Sequence, residues 1–147
     1  MQRRRDDEGT ILLLTVGLSV VLMLLVVVVV DVSVVVLARR GVANAADGAA
    51  LAAAQQADEA AINSRQDALA SRLPLDPYLV AQVVATYQSD AAASQPTLTL
   101  TPSVDGVDGT EAVVAAQRLV RLPFVSWFGL HDVTVRAVGR ARSPVTP

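Results

Sequence analysis

The stretch TILLLTVGLSVVLMLLVVVVVDVSVVVLA, from Thr10 to Ala38, decides how the rest of the chain is read. Its first 21 residues, Thr10 to Val30, carry no charge. As a helix rising about 1.5 Å per residue they reach roughly 32 Å, enough for a hydrocarbon core of about 30 Å. Valine is a modest helix former in water, but lipid offers the backbone no partner other than itself, so residues 10–38 are expected to be one transmembrane helix. A secretory leader has an apolar core of only about 7–15 residues, and this run is far longer. The small-residue site Ala43-Asn44-Ala45 is therefore not read as a cleavage point, and the helix is expected to remain as an anchor.

Arg3, Arg4 and Arg5 precede the span and Arg39 and Arg40 follow it. Counting basic residues alone, as the positive-inside rule does, favours a cytoplasmic N-terminus for residues 1–9 and an extracytoplasmic location beyond Arg40. Asp31 interrupts the apolar run and has two readings. At the outer interface its carboxylate reaches headgroups or water; alternatively it is a buried contact for another helix or an arginine, as ionisable groups inside spans often are.

Helical character continues past the span. Gly41 to Leu73 is rich in alanine and other good helix formers and free of proline, so a helical extension is expected over 39–73. Leu51, Ile62, Leu69 and Leu73 fall on one side and are expected to form its buried stripe, thinned by Gln55 and Asp58. Pro74 ends the helix. Asp76-Pro77 then supplies an N-cap and a first-turn proline, and Val80, Val83, Val84, Tyr87 and Ala91 repeat as in an amphipathic helix that ends near Ser94-Gln95-Pro96.

From Thr97 the period changes to two. Thr97-Leu98-Thr99-Leu100-Thr101 alternates like a half-buried strand that Pro102 is expected to stop. Asp105-Gly106 and Asp108-Gly109 mark a turn, and Glu111 to Leu122 reads as a second strand with poor alternation. In the third, Val133, Val135, Ala137, Gly139 and Ala141 share one face, with Thr134, Arg136, Arg140 and Arg142 on the other and Val138 out of pattern. Residues 74–147 thus make a small α+β domain: a second, amphipathic helix and an antiparallel sheet of about three strands behind a long N-terminal helix.

The net charge of −2 gives no general attraction to nucleic acid. Its distribution is uneven. Gly41 to Glu111 holds nine acidic residues and two arginines, whereas Ala112 to Pro147 holds five arginines and one aspartate. The two parts suit packing on each other or on neighbouring copies. With no cysteine there is no disulfide or thiolate chemistry. His131-Asp132 does not assemble a catalytic relay, because neighbours on a strand point to opposite faces. The acidic loop Asp105 to Glu111 lacks the alternating ligand spacing of a calcium loop. An enzyme, a cofactor and a small-molecule substrate are therefore not expected. Phe124, Trp127 and Phe128, three of five aromatic residues, form either a plug for the core or a docking patch for a partner or the membrane surface.

One segment adds a resemblance. After the basic start come Glu8-Gly9, the apolar span, Asp31, the pair Arg39-Arg40, and then Asn44-Ala45-Ala46-Asp47-Gly48-Ala49-Ala50-Leu51-Ala52-Ala53-Ala54. This resembles the N-terminal region of TadE/TadG-like proteins of the Tad (Flp-type) pilus assembly system. The resemblance implies a pilin-like accessory component in a bacterial inner membrane, whose partners are the lipid bilayer and other membrane or pilus-assembly proteins. It marks Asp31, Arg39, Arg40, Asn44 and Asp47 as candidate helix or partner contacts, beside the candidate basic face Arg136, Arg140 and Arg142. Prepilin processing after a glycine prefers glutamate five residues on, where this chain has Leu14. Cleavage after Gly9 is accordingly not expected. The alternative function is a tethered cell-envelope module that binds a partner protein or wall polymer.

Overall fold

The computed structural model describes residues 3–63, 75–106, 109–124, 129 and 132–142. The elements are helix α1 (Arg3–Asn63), helix α2 (Pro77–Ala92) and strands β1 (Leu98–Asp105), β2 (Glu111–Arg121) and β3 (Asp132–Arg142). The chain is α+β. The strands form one antiparallel sheet in the order β1-β2-β3. Both helices pack on the same face of it, α1 across β2 and β3, α2 along β1.

α1 runs unbroken from the apolar segment into the domain. Along Ile11 to Leu25 its large apolar side chains are more than half exposed, as a lipid-facing helix requires. The few hydroxyls there satisfy themselves: Thr15, Ser19 and Ser33 donate to the carbonyls of Ile11, Thr15 and Val29 at 2.7–2.9 Å. The helix is long and apolar enough over Gly9–Gln56 to cross a membrane once.

Past Ala38 the buried face is not the one expected from leucine. Val42, Ala45, Ala46, Ala49, Ala50, Ala53 and Ala54 repeat every three or four residues and are all buried. Leu51 is 53% exposed, on the other side. The reason is steric. The sheet approaches α1 so closely that only small side chains fit between them. A Cβ on Gly139 of β3 would collide with the backbone of Ala46 and Asp47. A Cβ on Gly48 would meet the Tyr87 hydroxyl of α2 at 2.6 Å. Ile62, Leu69 and Leu73, the rest of the expected stripe, lie outside the described residues or side chains.

α2 starts as its sequence demands. Asp76 caps it, accepting from the Tyr78 amide at 2.8 Å, with Pro77 in the first turn. Val80 and Val84 are buried, and Val83, Tyr87 and Ala91 are packed on the core. The Leu75 amide donates to the Gly109 carbonyl at 2.8 Å and ties the start of α2 to the β1–β2 turn. That turn uses Gly106 and Gly109 at φ of 100° and 65°.

The strands bear out the alternation of β3, with Val135 and Gly139 buried and Arg136 and Arg140 exposed. β1 does not stop at Pro102 but continues to Asp105. Proline is tolerated because β1 is an edge strand and position 102 directs its missing N–H away from β2. The long axes agree. β3 spans about 35 Å at ~3.3 Å per residue, and α1 from Asp31 to Ala54 covers about the same at 1.5 Å. β3 therefore runs alongside α1 in the same direction, away from the apolar segment.

Candidate functional site

The motif around Asn44 to Ala54 divides into two faces once folded. Its small residues, Ala45, Ala46, Ala49, Ala50, Ala53 and Ala54, disappear beneath the sheet and α2. Arg40, Asn44, Asp47 and Leu51, spaced by four, three and four residues, are all exposed along the opposite side, with Arg39 beside them. Asn44 borders a groove with Asp90, Ser94 and Gln95 from α2 and the turn after it. None of Arg39, Arg40 and Asp47 makes an ion pair among the described residues. The structure thus brings Arg40, Asn44 and Asp47 together as an outward-facing stripe of alternating charge and amide.

Asp31 lies elsewhere. It is only 5% exposed, and its Oδ1 accepts from the backbone amide of Phe124 at 3.3 Å. The connection after β2 thus reaches back to the last turn of the uncharged run. Asp31 Oδ2 is buried without a partner among the described residues, as are Gln95 Oε1 and Arg118 Nε. A half-satisfied buried carboxylate is costly, and the Phe124 amide offsets part of that cost. Of the aromatic patch, Phe124 is 41% exposed; Trp127 and Phe128 fall outside the described residues.

The basic residues of β3 occupy the sheet face turned away from both helices. Among the described residues, no helical acid meets them. Arg140 and Arg142 approach the largely covered Glu111 carboxylate at 3.8 and 3.6 Å, while Arg136, opposite Gln117, has no ion-pair partner among the described residues.

The two sheet edges differ in a way that sequence reading missed. On β1 the Leu98 amide donates to the Gln95 carbonyl at 3.0 Å, the Leu100 amide donates to Gln88 Oε1 at 2.8 Å, and Pro102 has no N–H. From Leu98 to Pro102 that edge offers no free amide to another strand. Antiparallel alternation then directs the amides and carbonyls of Thr134, Arg136, Val138, Arg140 and Arg142 outward from β3. No described residue caps them. Pro102 was the one available signal; the Gln88 contact, between elements 12 residues apart, has none. The groove between α2 and β1, about 320 Å³, is lined by Val84, Gln88, Leu98 and Leu100 among others and by no ionisable side chain.

A single long apolar helix carrying an α+β domain defines the class: a helix-anchored protein with an exposed polar stripe and one open sheet edge. Within it, residues 9–56 match the family model described as putative Flp pilus-assembly TadE/G-like. That region is the apolar segment plus the two-faced helix, about a third of the chain. No curated protein and no solved structure matches the chain.

Proposed function

We propose that this protein is a non-enzymatic, pilin-like accessory component of Tad (Flp-type) pilus assembly or a related secretion apparatus. Residues 10–38 anchor it in a bacterial inner membrane, residues 1–9 are cytoplasmic, and the helical extension (39–73) and α+β domain (74–147) lie outside. The observation that carries this reading is the division of the matched segment. Its alanines are buried beneath the sheet and α2, while Arg40, Asn44 and Asp47 are exposed and make no side-chain hydrogen bond or ion pair among the described residues. An outward stripe of complementary charges sets register between helices more than it adds affinity.

The experiment is co-purification from native membranes. Full-length protein is expected to retain other pilus-assembly proteins, and Arg40→Glu with Asp47→Arg to lose them while the fold is unchanged. Retention of the same partners by the reversed protein would overturn the assignment of this stripe. The open edge of β3 favours the second reading, an envelope-binding module, because it offers a template for an added strand. In that case capture depends on β3 and is indifferent to Arg40 and Asp47.

A further inference from the structure

The connection between β2 and β3 is joined to α1 at Asp31, where the uncharged run ends. Resting on the membrane-anchored reading above, we infer that this end of the sheet is seated in the headgroup layer of the same bilayer that holds α1.

Three observations converge. First, from Val32 to Ala38 the helix is two-faced. Val34, Val35 and Ala38 pack on the domain core, whereas Val32, Val36 and Leu37 remain exposed. Asp31 is hidden beneath protein, so the first exposed charges on the outer side are Arg39 and Arg40. That boundary lies about 12 Å beyond Asp31 along the helix. The uncharged 21-residue run fills a hydrocarbon core of about 30 Å, so the turns after it lie at the depth of the interfacial layer. Phe124, bonded to Asp31, shares that depth.

Second, exposed apolar side chains gather at this end of the domain. Leu119, Phe124 and Val133 are all exposed, and all lie at or within the last three register pairs of the β2–β3 connection. At the opposite end, where Leu75 meets Gly109, Leu75 is buried and the exposed large side chains are Tyr78 and, on the outer side of α1, Leu51, while Val138 stands exposed in mid-sheet. Third, Arg121, in the same place, has a side chain 92% exposed and only a loose 3.9 Å approach to Asp132. Apolar side chains rimmed by an arginine suit acyl-chain ends below and phosphates above. The partner is a phospholipid surface, and its source is the membrane the helix already crosses.

The chain has no cysteine, so single labels are clean. Full-length variants Leu18→Cys, Leu119→Cys, Phe124→Cys and Tyr78→Cys, each carrying an environment-sensitive fluorophore, are reconstituted in phosphatidylcholine–phosphatidylglycerol vesicles. Some vesicles contain lipids bearing a nitroxide near the headgroup. Labels at 119 and 124 are expected to lose fluorescence about twofold to the shallow nitroxide, as residues at interfacial depth do, and the label at 78 to lose none. Leu119 and Phe124 are exposed, so both substitutions spare the core, and either label suffices. Labels at 119 and 124 as unquenched as that at 78, with Leu18 quenched by deep nitroxides, would show a domain standing clear of the membrane. A blue-shifted but unquenched label would mean that protein, such as a second copy, covers the patch. Both results overturn the inference. An unquenched Leu18 label would instead overturn the membrane-spanning reading on which it rests.

Discussion

Gly139 of β3 lies directly against the backbone of Ala46 in α1, with no room for a side chain between them. Glycine in a strand interior usually weakens it, but here its absent Cβ lets strand and helix touch. The contact joins the C-terminal part of the long helix to the second half of β3.

Gly139→Ala should therefore destabilise the domain by about 3 kcal/mol, the upper end for overpacking, because neither backbone can move aside alone. Gly48→Ala is the control. Its Cβ meets only the far end of the Tyr87 ring. Displacing that ring is offset by the roughly 1 kcal/mol that alanine gains over glycine in a helix. Denaturant unfolding of the protein in detergent should show a large loss for the first and a change within about 1 kcal/mol for the second. Equal losses would contradict the close approach.

The contrast shows where sequence reading succeeded. Period two in β3, the Asp76-Pro77 start and the long apolar helix were legible, because each is local and follows from residue type and spacing. The buried stripe of α1 was not. Leucine was taken as the marker of a core, whereas the limiting quantity is the distance between backbones, which favours alanine and leaves Leu51 outside. Likewise Pro102 stops a strand only if that position must donate, and an edge strand lifts the requirement. Of the candidate sites, Arg40, Asn44 and Asp47 were marked by resemblance only, and their shared exposed face emerges from the folded helix. The link between Asp31 and Phe124, 93 residues apart, had no signal in the sequence.

Asp31→Ala removes the acceptor for the Phe124 amide and leaves a donor unsatisfied, at a cost of about 1–3 kcal/mol. Asp31→Asn keeps an oxygen there and should retain the bond. Hydrogen exchange at the Phe124 amide should accelerate in the alanine variant and change little in the asparagine variant. Identical exchange in all three proteins would mean the contact is not maintained.

Closure of the β1 edge predicts an assembly phenotype. Gln88→Ala strips the cap from the Leu100 amide and should cost about 1 kcal/mol. Combined with Pro102→Thr, which restores an N–H, it exposes a row of donors on an edge strand. The double variant should self-associate at concentrations where the parent does not, as read by analytical ultracentrifugation in detergent. A monodisperse double variant would show that Gln88 and Pro102 are not what protects that edge.

The proposed orientation, with the domain outside the cytoplasm, rests on the arginines around the apolar segment. A cysteine replacing Ser103, on the exposed face of β1, should react with an impermeant thiol reagent applied to cells with a permeabilised outer membrane. A cysteine replacing Gln2 should react only after lysis. The reverse pattern would place the domain in the cytoplasm.

The three arginines of β3 are not equivalent, and this separates folding from recognition. Glu111 is largely covered and flanked by the exposed Arg140 and Arg142, so reversing either places a second carboxylate beside it. Exposed pairs of this kind contribute only about 0–1 kcal/mol, but like charges on adjacent strands repel by a similar amount. Arg140→Glu with Arg142→Glu should lower stability by about 1 kcal/mol, and Glu111→Gln should restore it. Arg136 faces Gln117 and has no ionic partner among the described residues, so Arg136→Glu should leave unfolding unchanged. An effect of Arg136→Glu on association is therefore read as recognition and not as damage to the fold. If this face meets an acidic partner, the substitution weakens co-purification most at low salt, and the difference from the parent fades as salt screens charges over about 8–10 Å. Unaltered capture at every salt concentration would leave Arg136 as part of a solvated strand face and exclude it from assembly.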